Sequence, residues 1–104
     1  MNEKFIRERI TQLRLSRDIS EYQLSLDLGH SRGYINNITS GKTLPSKCEM
    51  LNICDYFNIT PAEFFNEQIA YPSLLHEMNS IFPHLDYDSQ LLILNLTKKL
   101  SFQK

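Results

Sequence analysis

Glycine and proline are sparse, three and four in 104 residues, which excludes a collagen-like or low-complexity chain and leaves an ordered globular fold as the default. Charge of one sign is lacking too: 11 Lys and Arg against 12 Asp and Glu give a net charge of −1. A protein that coats nucleic acid at large is therefore excluded. Cysteine occurs twice, at Cys48 and Cys54. Their spacing puts them on different sides of a helix, with no C-x-x-C pair and no nearby His to suggest zinc or redox chemistry. They read as small, reduced residues packed in or near a core. No apolar run approaches the roughly 20 residues of a membrane helix. The opening MNEKFIRERI carries acids and no apolar stretch of signal-peptide length. The expected location is cytoplasmic, with no membrane association. Catalytic groupings are missing as well. His30, His76 and His84 lie in different segments, with no Ser, Cys or paired carboxylates at a recognisable spacing and no Gly-rich loop after a strand. An enzyme is not expected, and neither a cofactor nor a metal is implied.

What is present is helical periodicity almost throughout, in a chain long enough for one core with an appended element. Phe5, Ile6, Ile10 and Leu13 predict a first helix over about 3–16. Ser20 and Gln23 fit a capping box, Leu24 and Leu28 continue that second helix, and Gly29 ends it. Ser31 is placed to cap a third helix with Ile35 and Ile38 as its buried stripe, and Gly41 supplies a left-handed end. Pro45 and Ser46 open a fourth, with Glu49 completing a capping box and Met50, Leu51, Ile53, Cys54 and Phe57 as its apolar face. Asn58 is suited to stop that helix in the left-handed region. Thr60-Pro61-Ala62-Glu63 starts a short fifth, with Pro at the first helical position.

From Pro72 the pattern changes. Leu74, Met78, Ile81 and Phe82 make one amphipathic helix, Pro83 breaks it, and Asp86 or Asp88 begins a last one. Leu91, Leu92, Ile93, Leu94, Leu96 and Leu100 are too many apolar positions for a single stripe. That helix must bury two sides or face a partner. The expected division is 1–68 and 69–104.

Charge is local where it is not global. Residues 1–50 hold eight Lys or Arg against six acids, and residues 51–104 three against six. Between Leu28 and Cys48 there is no acid at all, while Arg32, Lys42 and Lys47 stand in that window with Asn36 and Asn37.

Two short helices joined by a tight Gly-containing turn, within about five helices, form the helix-turn-helix layout. Residues 10–65 resemble the Cro/C1-type, or XRE-like, helix-turn-helix domain of phage and bacterial repressors. The resemblance rests on Ile10-Thr-Gln-Leu-Arg14, Ile19-Ser20, Leu24, Leu28-Gly29, Ser31 through Ile38, Gly41-Lys42, Pro45-Ser46 and Ile59 through Phe65, in that order. It implies an all-α fold, a five-helix lambda-repressor-like bundle with two further C-terminal helices.

The function it implies is a sequence-specific transcriptional regulator, a repressor, that binds double-stranded DNA as a homodimer. In such proteins the third helix enters the major groove and the second crosses the backbone. Arg32 and Asn37 match base-contact positions, suited to guanine and adenine respectively, and Asn36 faces a similar direction. Lys42, Thr43, Ser20 and Ser40 match backbone-contact positions, and Ser31 offers a helix N-terminus to a phosphate. Tyr34 either meets a phosphate or packs partly against the second helix. Leu91, Leu92, Leu94, Leu96 and Leu100 would form the dimer interface as well as core.

Three positions depart from the family pattern. Glu21 stands where a Gln often holds a phosphate, and Gly33 deletes a base contact. Thr39 stands where an acid often pairs with the Arg at position 14. These departures keep a second reading open: a protein-interaction or antitoxin-like module with weak or lost DNA binding and a protein partner at the C-terminal helices.

Overall fold

A computed structural model describes residues 2–102. In chain order the helices are α1 (Glu3–Ser16), α2 (Glu21–Asp27), α3 (Tyr34–Thr39), α4 (Lys47–Tyr56), α5 (Pro61–Phe64), α6 (Pro72–Ile81) and α7 (Tyr87–Ser101), with a 3-10 turn at Phe82–His84 between the last two. There is no strand among the described residues. The all-α expectation of five helices plus two holds.

The first four helices close in the same way. Asp18, Gly29, Gly41 and Asn58 all adopt positive φ, at 54°, 80°, 92° and 56°. At each corner two amides turn back to carbonyls of the last turn. Gly29 N–H donates to Leu26 O and His30 N–H to Ser25 O, while Gly41 N–H donates to Ile38 O and Lys42 N–H to Asn37 O. Asp18–Ile19 and Asn58–Ile59 repeat the pattern. This Schellman closure satisfies carbonyls that the helix leaves orphaned.

Helix starts are equally local at α4 and α5, where Ser46 with Glu49 and Thr60 with Glu63 make complete capping boxes. The box expected at α2 is only half made. Ser20 Oγ accepts from Gln23 N–H, but the Gln23 amide turns forward to Asp27 Oδ1 at 2.6 Å.

Ile10 and Leu13 of α1, Leu24 of α2, Ile35 and Ile38 of α3, Ile53 and Phe57 of α4, and Phe64 of α5 are fully buried in one core. Each such side chain contributes about 1.5–3 kcal/mol. Cys54 joins them and Cys48 is exposed. Leu51, expected on the apolar face of α4, points outward instead.

Arginines of the first helix and its end tie down other segments. Arg9, itself buried, donates to Phe64 O at 2.9 Å, Asn66 O at 2.8 Å and Ala70 O at 3.3 Å. Arg7 donates to Ile38 O and Gly41 O, Arg14 to Ile19 O, and Arg17 to Tyr56 O. A guanidinium suits this role because it stays charged and spreads several donors in a fixed plane.

The chain divides into two compact units after Ser73, a few residues past the expected boundary. In the second unit Asp86 caps α7 through Ser89 N–H, and Gln90 Nε2 donates to Phe82 O and Leu85 O. None of the fifteen residues of α7 is buried. Leu92, Leu96 and Leu100 remain 70%, 55% and 57% exposed.

Candidate nucleic-acid interface

Helix α3 is six residues long and has no side-chain cap of its own. Its N-cap is Gly33, and Ser31, expected to cap it, instead accepts Tyr34 N–H through its carbonyl at 3.0 Å. The turn therefore extends through Arg32 and Gly33, and Arg32 precedes the helix rather than beginning it. The orphan amide of Ile35 is taken by Ser25 Oγ at 3.0 Å, a hydroxyl that also donates to Glu21 O at 2.7 Å. Ser25 is wholly buried. One hydroxyl thus locks the start of α3 onto α2, from ten residues upstream.

With Ile35 and Ile38 inside, helical geometry turns Asn36, Asn37 and Ser40 outward, and all three are exposed, as is Arg32. Gly33 sits at an N-cap, where glycine is accepted, rather than in a helix interior. A Cβ built there meets nothing within 4 Å.

Acids at this surface are engaged internally. Glu21, on the first turn of α2, accepts from Thr39 Oγ1 at 2.6 Å and from Asn36 Nδ2 at 3.1 Å. The Thr39 hydrogen bond, followed by Asn36 and the charge of Arg14, lowers its pKa against the opposing effect of burial. Glu21 thus accepts from Thr39 and Asn36 together, with the charge of Arg14 close enough to act on it.

Tyr34, expected either to meet a phosphate or to pack partly against the second helix, is partly buried. Its ring stacks on His30 at 3.7 Å and 8°, and its hydroxyl is buried. Burial first, then the nearby Glu49 charge, push the phenol's pKa upward. His30 Nε2 lies 3.3 Å from that same Glu49, which also caps α4. The His30 and Tyr34 rings thus stack beside Glu49 of α4, and it is His30 that makes the direct link to it.

The remaining expected contacts lie at the edges of this surface. Ser20 is the exposed N-cap of α2, and Ser31 is exposed in the turn. After α3 come Ser40, Lys42 and Thr43, all exposed, with the amides of Lys42 and Thr43 both donating to Asn37 O. Ser25 and Arg9 are signalled by no motif or period, and the motif that marks Glu21 as a departure does not show its partners, because each acts on residues distant in sequence. The leucines of α7 belong to the second unit.

A helix-turn-helix family model, HTH_3, matches residues 10–64, more than half of the chain. The chain belongs to the Cro/C1-type, XRE-like helix-turn-helix family. Its helix-turn-helix is α2, the turn and α3, the pair that Ser25 locks together. The family is one of DNA-binding regulators. No match was found among curated proteins or among solved structures. No helix among the described residues is long and apolar enough to cross a membrane.

Proposed function

We propose that this helix-turn-helix protein is a sequence-specific repressor that binds an inverted-repeat operator as a homodimer. The observation that carries the reading is the outward face of α3: short, rigidly seated on α2 through Ser25, polar, and free of acids. Arg32, Asn36 and Asn37 read base edges in the major groove. Ser20, Ser31, Ser40, Lys42 and Thr43 set register on the phosphates. Gly33 contributes closeness of backbone in place of a side chain.

Dimerisation through Leu91, Leu92, Leu94, Leu96 and Leu100 is supported by α7, none of whose residues is buried. A two-helix unit of this size lacks the core to hold itself together. A second copy supplies the missing apolar surface and doubles the sequence that one small module reads.

Selection from a random duplex pool at moderate salt tests this. An enriched inverted repeat with half-site centres about 34 Å apart is expected. No enrichment at any salt, together with a monomer in sedimentation at high micromolar concentration, overturns it. The same exposed leucines favour one second reading, an antitoxin-like protein that holds a partner protein there. Glu21 no longer argues for it, since both carboxylate oxygens are occupied inside the domain.

A further inference from the structure

We propose that Glu21 sets base preference indirectly, by holding the Asn36 amide so that its carbonyl oxygen is the group offered to the base edge. Asn36 Nδ2 donates to Glu21 Oε1 at 3.1 Å, whereas no partner engages Asn36 Oδ1 among the described residues. The other carboxylate oxygen is fixed by Thr39 Oγ1 at 2.6 Å. Glu21 is itself fixed on α2, one turn before the Ser25 hydroxyl that seats α3. A carboxylate accepts and never donates, so it discriminates between the two ends of an asparagine amide. An exposed asparagine without such a neighbour turns over freely and offers donor or acceptor alike.

The inference rests on the proposed reading of DNA by α3. Given that reading, the base facing Asn36 presents an exocyclic amino group in the major groove, adenine N6 or cytosine N4. Guanine and thymine present acceptors at the corresponding place, and an outward Oδ1 repels them. Glu21 thus touches no base and acts as a positioning residue.

Glu21→Gln and Glu21→Ala separate this role from simple charge. A glutamine puts an NH2 in place of one carboxylate oxygen, so Thr39 Oγ1 and Asn36 Nδ2 no longer each have an acceptor oxygen of their own. An alanine removes both holds. Random-duplex selection would be run with the wild-type protein, with each Glu21 variant and with Asn36→Ala, all first shown by thermal melting to be folded.

The expected result is one operator position, adenine or cytosine in the wild type, at which Asn36→Ala and both Glu21 variants lose about fivefold or more in discrimination. Every other position keeps its preference. Were Glu21 only a charge near the phosphates, its variants would raise affinity alike for all sequences and leave the preferences intact, which overturns the proposal. An Asn36→Ala protein with unaltered preferences overturns it also, while leaving the DNA reading standing.

A second readout needs no DNA. In the free protein the Asn36 side-chain 15N–H signals should shift with the same acid titration as the Glu21 carboxylate, and that shift should vanish in Glu21→Gln. Signals indifferent to Glu21 refute the positioning outright. If they respond but no sequence is ever enriched, the failure belongs to the DNA reading, and the specificity role falls with it.

Discussion

A single hydroxyl carries the joint between α2 and the recognition helix. Ser25 Oγ is buried, donates to one helix and accepts from the other, so its removal strands the Ile35 amide away from water. Ser25→Ala should lower stability by about 1–3 kcal/mol, read as a shift of the denaturant midpoint at unchanged slope. Glu21 gives the acid limb of the stability curve. Its pKa is lowered in the fold, chiefly by the Thr39 hydroxyl, so its contribution is present above the unfolded value of roughly 4.3 and is lost as pH falls through the folded value. Urea melts from pH 6 down to pH 3 should therefore show Glu21→Gln approaching the wild-type stability as acid is added. A constant gap across that range would mean that the carboxylate's charge is irrelevant. Neither residue was legible in the sequence. Ser25 looks like a polar interruption of a helix, and Glu21 like a liability facing phosphate. Their partners, Ile35, Asn36 and Thr39, become visible only after the chain has folded back.

Among the elements, those whose boundaries are written in adjacent residues were legible. Both ends of α1 fall where the stripe predicts, and the capping boxes of α4 and α5 form as their four-residue signatures require. The stops at Gly29, Gly41 and Asn58 are where left-handed residues were expected. Helix α3 is the exception. Ser31 has the chemistry of a cap, but the chain makes one more turn and uses Ser25 instead. Gln23 likewise prefers Asp27 to its own N-cap. In both cases a competing hydrogen bond outside the motif wins. The two glycine stops bracket the turn and recognition helix, at φ of 80° and 92°. Gly29→Ala and Gly41→Ala should each destabilise by about 1–2 kcal/mol, despite the open space around both positions. Gly33→Ala, at a negative φ of −96°, should not show that strain, and parallel melts of the three variants check the contrast.

For the whole molecule, half of the eight cations in residues 1–50 are engaged by the domain's own backbone. Arg7, Arg9, Arg14 and Arg17 hold carbonyls, which leaves Arg32, Lys42 and Lys47 as the cations in the acid-free window. With Arg32 on a base edge, one phosphate neutralised by each of Lys42 and Lys47 would give a dimer a slope of about −4 in log affinity against log salt, measurable by fluorescence anisotropy. A much steeper slope would point to cations outside the window. Periodicity foresaw the change of organisation near Pro72 and the surplus of leucine in α7. It could not foresee that α7 would bury none of them in its own chain, since burial depends on what lies opposite. If α7 forms the proposed dimer, Leu92→Asp with Leu96→Asp should leave only monomer in sedimentation and weaken operator binding, with the melting of the first unit little changed.

That unsatisfied helix has a consequence for regulation. If the operator is occupied only by paired chains, and pairing is what covers α7, then well below the dimer's dissociation constant the population of competent dimers follows the square of total protein. Doubling expression would raise occupancy roughly fourfold, and dilution at cell growth would lower it just as steeply. The exposed leucines would then serve as the element through which the cell's dosage of this chain is converted into a threshold.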